Sequence, residues 1–154
     1  MTKELVVYYS HSGNTKKGAM LISKVTGADV LELVPERAYP KGMWATVDEF
    51  KKELAGDLRR AILPYDVDVS QYDTIYIGTP NWGDTLATPL RSFFDKEDLA
   101  DKRIMPFVTH GGGGLGNCSR DMIRLSGTKN YTEPLVYSGG SVNERKVKEW
   151  LQKK

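Results

Sequence analysis

Leu5-Val6-Val7-Tyr8-Tyr9-Ser10-His11-Ser12-Gly13-Asn14-Thr15 passes from a short apolar run through small hydroxyl residues into the helical pattern of Ala19, Ile22 and Val25. A run without polar interruption is what a parallel strand covered on both faces requires. Strand, tight loop and helix make the opening of a β-α-β unit. At the helix start, three hydroxyls, the Asn14 amide and Gly13 surround a positive dipole end whose first N–H groups lack intrahelical acceptors. An ordinary cap needs only one such residue, whereas this set suits a phosphate monoester.

Working outward, Val30 to Val34, Thr74 to Gly78 and Ile104 to Val108 read as further buried strands, with Pro134 to Tyr137 as a weaker fifth. Pro106 and Pro134 lack a ladder donor and are expected near strand ends. Helical spacing joins Val47, Phe50, Leu54, Leu58 and Ile62, and then Leu90, Phe93 and Phe94 behind a Thr88 cap and Pro89. A fourth helix is expected from about Asn117 to Leu125, ending before Gly127. A fifth opens on the capping-box spacing Ser141 to Glu144 and buries Val147, Trp150 and Leu151. This alternation predicts an α/β fold over residues 1–154 as a single domain: a doubly wound five-stranded parallel sheet with helices on both faces. The stretch Pro35 to Trp44 is longer than such connections need, so it is either a lid or a padded loop.

Composition narrows the function. Hydrophobic residues are 40% and charged residues 27% of 154, enough for a core without staples. The 22 basic and 20 acidic residues leave a net charge of +2 with no long basic run, which argues against a nucleic-acid partner. Cys118 is the single cysteine, so no intrachain disulfide forms, and the apolar run at Leu5 is too short for a signal peptide or membrane span. A cytoplasmic protein without a membrane partner is expected.

In a doubly wound sheet, ligands bind beyond the carboxyl ends of the strands where strand order reverses. There the third strand is followed by Thr79-Pro80-Asn81-Trp82-Gly83-Asp84, which offers an aromatic face beside a glycine. The fourth is followed by Thr109-His110-Gly111-Gly112-Gly113-Gly114, where a ring can approach bare main chain. Phosphate cradle, aromatic face and bare backbone together describe a site for a flat phosphorylated ligand. The candidate ligand-binding residues are Ser10, His11, Ser12, Gly13, Asn14, Thr15, Thr79, Pro80, Asn81, Trp82, Gly83, Asp84, Thr109, His110, Gly111 and Gly112.

Ser10-x-Ser12-Gly13-Asn14-Thr15 resembles the flavodoxin phosphate loop, and Asn81-Trp82-Gly83-Asp84 resembles that family's first flavin-flanking loop. The flavodoxin fold, with FMN at its switch point, is itself a standard instance of the strand-end rule. The resemblance covers essentially the whole chain. It implies noncovalent FMN, with Ser10 to Thr15 on the phosphate, Trp82 against the ring and Gly83 near flavin N5. It implies an electron carrier working between two redox protein partners, a reductase and an acceptor. Three departures stand out: Thr109 to Cys118 holds no aromatic residue to stack on the second flavin face, the isoelectric point is near 8.6, and no long insertion interrupts the fifth strand. His110, Leu115 or the Tyr39 to Trp44 stretch is left to cover that face.

Other readings compete. An NAD(P)H-dependent quinone or nitro reductase of the same fold, and a non-redox FMN-binding module, share the same motifs. Cys118 and Arg124 match the Cys-x5-Arg spacing of thiolate phosphatases, but the residues between them read as helix. A receiver domain needs carboxylates where Ser10 and His11 stand. Trp150 fits a core position by its spacing, Trp44 is open, and Lys16 and Lys17 face solvent past the cradle.

Overall fold

The computed structural model describes residues 3–56 and 59–152. Along the chain run β1 (Glu4–Tyr8), α1 (Asn14–Thr26), β2 (Asp29–Glu32), α2 (Met43–Ala55), β3 (Thr74–Trp82), β4 (Thr85–Leu86), α3 (Thr88–Lys96), β5 (Arg103–His110), α4 (Cys118–Ser126), β6 (Asn130–Tyr131), β7 (Leu135–Ser138) and α5 (Glu144–Gln152). The parallel order is β2-β1-β3-β5, with β6 and then β7 continuing alongside β5 as the outer strand. β4 is antiparallel, paired to the end of β3.

Strand side chains alternate between two cores. Val6, Tyr8, Tyr76, Met105 and Phe107 pack with Ala19, Ile22, Val147 and Trp150 of α1 and α5. Leu5, Val7, Ile75, Ile77 and Ile104 pack on the other face with Phe50, Leu90, Phe93 and Met122. Each fully buried aliphatic or aromatic side chain contributes about 1.5–3 kcal/mol. Trp150 is buried as its spacing predicts, and its indole N–H donates to the Glu133 carbonyl.

Several local expectations are corrected. Pro106 sits inside β5, paired with Ile77, and not near a strand end. The Ile104 carbonyl accepts from Thr132 on the outer side, so Pro106, two residues on, faces that side too. There β6 has ended and β7 has not begun, so its missing donor falls in a gap of the ladder. Thr88 is the first residue of α3 and Ala87 holds the cap position without a side-chain bond; the Thr88 hydroxyl is drawn to the Glu53 carboxylate. The last helix is capped by Asn143, which accepts from the Lys146 N–H, while Ser141 donates back to the Ser138 carbonyl. The second helix ends at Ala55; Leu58 lies outside the described residues and Ile62 pairs with Pro35 in a bridge.

That bridge explains the long connection. Glu36 N–H donates to the Ala61 carbonyl and Leu63 N–H to that of Val34, so the chain after α2 folds back along the chain before it. Arg60, 5% exposed, pins the two together. Its guanidinium donates to the carbonyls of Arg37 and Ala38 and to the Glu49 carboxylate, and lies 3.7 Å from the centre of the Tyr39 ring. Tyr39 in turn donates to Glu53 and meets the Thr88 hydroxyl. Burial and the Glu53 carboxylate push the Tyr39 phenol far above its ordinary value, so it stays a neutral donor. The segment is a pinned structure tied to α2 through Glu49 and Glu53.

Candidate functional site

A cleft of about 550 Å³ opens beyond the carboxyl ends of β1, β3 and β5, within the size range of ligand pockets. Of the candidate residues it is lined by His11, Ser12, Asn14, Pro80, Asn81, Trp82, Gly83, Thr109, His110 and Gly111. Ser10, Gly13, Thr15, Thr79, Asp84 and Gly112 do not line it. A wider hollow of about 740 Å³ lies among Arg37, Asp48, Glu49, Lys52 and Arg59, but no residue of the loops after β1, β3 and β5 lines it.

The loop after β1 leaves its helix uncapped. Gly13 occupies the cap position with φ 96° and no side-chain bond, so the first-turn N–H groups of α1 have no capping side chain. Ser10 braces the loop by accepting from the Gly13 N–H. Thr15, 2% exposed, pairs its hydroxyl with that of the cleft-lining Thr109 at 3.0 Å and ties the loop to β5. Tyr137 donates to the Asn14 carbonyl from beneath. Lys17 is exposed and its ammonium is bonded to the Gly140 carbonyl at 2.6 Å. Ser12 and Asn14 line the cleft beside the uncapped backbone N–H groups of α1 and offer donors to an anion.

The stretch after the third strand is a hairpin and not an open loop. β3 runs through Trp82, turns at Gly83 (φ 62°) and Asp84 (φ 68°), and returns as β4. Two consecutive left-handed residues are the signature of a type I′ turn, which glycine enters without penalty. A side chain at Gly83 would strain this turn and also crowd the Phe50 ring, 3.2 Å from where its Cβ would stand. Asn81 brackets two loops, accepting from the Asp84 N–H and donating to the Gly114 carbonyl. Thr79 is fully buried, its hydroxyl donating to Pro80 and accepting from the Ala87 N–H.

Trp82 is half-buried at the centre of an aromatic cluster. Phe50 stacks on it at 5.1 Å and 19°, while Tyr39, Tyr9 and His11 meet it edge-on at 4.9, 5.5 and 6.1 Å. One face of the indole is therefore occupied by α2. Of the Tyr39 to Trp44 stretch expected as a wall, Gly42 lines the cleft, whereas Tyr39 is buried beneath Trp82 and Trp44 stands 77% exposed. Thr46, Val47 and Phe50 of α2 extend that wall, and Gly139 also lines the cleft. Gly139 follows a strand end, so the rule that selected the other loops also covers it; the α2 residues carry no such signal.

Cys118 is buried in α4, and burial, then Asp121 and Asp84, push its thiol up to about 12. A neutral, enclosed thiol is inert as a nucleophile. Iodoacetamide at pH 8 is expected to leave native protein unmodified and to label it fully once urea unfolds the chain; equal labelling rates would contradict this burial.

No helix among the described residues is long and apolar enough to cross a membrane. A family model described as flavodoxin matches residues 3–154. Solved structures share the fold. A protein of Bacteroides uniformis, provisionally assigned to the flavoproteins, is 25% identical over 99% of both chains with a TM-score of 0.87. A flavoprotein of Lactobacillus acidophilus in complex with FMN is 25% identical over 98% of this chain and 99% of that one, with a TM-score of 0.76. Oxidised flavodoxin 2 of Bacillus cereus is 22% identical over 97% and 93%, with a TM-score of 0.59.

Proposed function

The chain belongs to the flavodoxin family, and on that premise we propose that it holds FMN in this cleft and passes electrons between redox protein partners. The reading is carried by one observation: an uncapped helix amino terminus opens beside a tryptophan-centred aromatic wall and a bare glycine loop. FMN supplies the redox chemistry when bound. The residues present fit it. Backbone N–H groups of α1, with Ser12 and Asn14, would hold the phosphate; such charge-assisted bonds are the strong class of hydrogen bond. Trp82, Phe50 and Val47 offer apolar surface to a ring, and Gly111 lines the cleft with bare main chain.

A second reading, an NAD(P)H-dependent quinone or nitro reductase, is favoured by α2. Thr46, Val47 and Phe50 add a wall that shapes the cleft beyond what the strand-end loops provide. Anaerobic reduction of the FMN-loaded protein separates the two. For a carrier, dithionite is expected to give a half-reduced absorbance that persists, and NAD(P)H to leave the oxidised spectrum unchanged. Rapid bleaching by NAD(P)H without a half-reduced stage would favour the reductase, and a protein that takes up no FMN would remove both readings.

A further inference from the structure

Among the described residues that line the cleft there is no carboxylate, ammonium or guanidinium group; its titratable side chains are the imidazoles of His11 and His110. The two are held differently. His110 accepts the Gly112 N–H at Nδ1, 3.1 Å away, and its carbonyl accepts from the Gly139 N–H at 2.9 Å. A ring nitrogen that accepts cannot also carry a hydrogen, so the neutral imidazole bears its hydrogen on Nε2. His11 has its Nε2 turned to the Thr46 hydroxyl at 3.4 Å, and that hydroxyl's single hydrogen is already shared between the carbonyls of Pro40 and Gly42.

We propose that His110 is a pre-set hydrogen-bond donor to the bound cofactor that favours its reduced form over its oxidised form. The proposal rests on FMN occupying the cleft. Two electrons and one proton, taken from dithionite and solvent, leave one net negative charge on an isoalloxazine ring that was neutral before. Hydrogen bonds to an anionic acceptor are roughly twice as strong as those between neutral partners, and a donor already oriented needs no rearrangement when the charge arrives. Among the described residues no carboxylate, ammonium or guanidinium lines the cleft, so neutral donors must answer that charge, and the Gly112 contact at Nδ1 leaves the Nε2–H of His110 free to be one of them. The glycines that follow it present no competing side chain. The Gly112 bond, which sets the tautomer, makes the loop backbone part of this device.

The test uses full-length protein loaded with FMN, its oxidised dissociation constant and its two-electron potential measured together. His110→Phe is expected to lower the affinity for reduced relative to oxidised FMN about tenfold, a fall of about 30 mV. His110→Gln, which restores an N–H at similar reach, is expected to recover most of that fall, and Tyr131→Phe, at an exposed residue outside the cleft, to leave the potential unchanged. A wild-type potential in His110→Phe, or an equal fall in Tyr131→Phe, would overturn the proposal while leaving the FMN site standing. Failure of the wild type to take up FMN would overturn the site reading and this proposal with it. Should His110→Phe fail to fold, nitrogen NMR of the wild type decides: an Nε2–H tautomer for His110 is expected, and an Nδ1–H tautomer contradicts the mechanism.

Discussion

Arg60→Met is expected to lower folding stability by about 3–5 kcal/mol, the usual cost of removing one partner from a buried ionic cluster. The guanidinium donates to two backbone carbonyls and stands between Glu49 and Glu53, the latter 8% exposed. Losing it removes those bonds and takes the Arg60 countercharge from the buried Glu53 carboxylate. Arg60→Lys keeps the charge but not the planar fork, so a smaller loss is expected. Adding Glu53→Gln to Arg60→Met should recover part of the deficit, because the two sites are in contact and their effects are not additive. The effect has a pH signature. The Arg60 bond holds the Glu49 carboxyl below its ordinary value of 4.5. A carboxylate with a depressed folded-state pKa contributes stability above its unfolded value, and that contribution is lost as pH falls through the folded value. The wild type should therefore weaken on acidification below about 4.5 more steeply than Arg60→Met. Urea titrations at pH 7 and pH 3 check both parts, and a stability unchanged at pH 7 would contradict the clamp.

Gly78→Ala is expected to destabilise by at least about 1–3 kcal/mol, the range for overpacking a filled core. Gly78 lies opposite Phe107 in the β3–β5 ladder, and a Cβ there would overlap the Phe107 ring, itself fully buried. The cost depends on space and not on backbone freedom, so shortening the ring should relieve it. Phe107→Leu placed on Gly78→Ala is expected to be less destabilising than the sum of the two single changes. Because β3 and β5 carry the hairpin and the glycine loop, Gly78→Ala should also weaken FMN binding. Thermal unfolding of the four proteins measures the coupling; simple additivity would show that the ring had room to move.

The parts legible in the sequence are those specified locally. Leu5 to Tyr9 and Thr74 to Gly78 read as buried strands because both faces demand apolar side chains, and β1 and β3 lie centrally in the sheet. The loop from Ser10 to Thr15 and the hairpin from Asn81 to Asp84 read as site elements because a strand end followed by small polar residues marks a ligand edge. What stayed hidden depends on partners far along the chain. Val47 and Phe50 show a buried face by their spacing, but nothing local says that Phe50 stacks on Trp82. The sequence marks Thr15 and Thr79 as loop residues, but it does not show that their hydroxyls meet the Thr109 hydroxyl and the Ala87 N–H. Thr88 has the chemistry of a cap, yet Glu53, from another helix, offers its hydroxyl an anionic acceptor. Pro106 looks like a strand terminator only while the gap between β6 and β7 is unknown.

The central claim is that an uncapped helix amino terminus and neutral donors hold a phosphate on a flat ligand. Titrating the apoprotein with FMN and with riboflavin, which lacks the phosphate, tests it most directly. Charge-assisted hydrogen bonds are worth about 1.5–3 kcal/mol each, so FMN is predicted to bind at least about a hundredfold more tightly, with Ser12→Ala narrowing the gap. Equal affinity for the two ligands, or binding of neither, would contradict it.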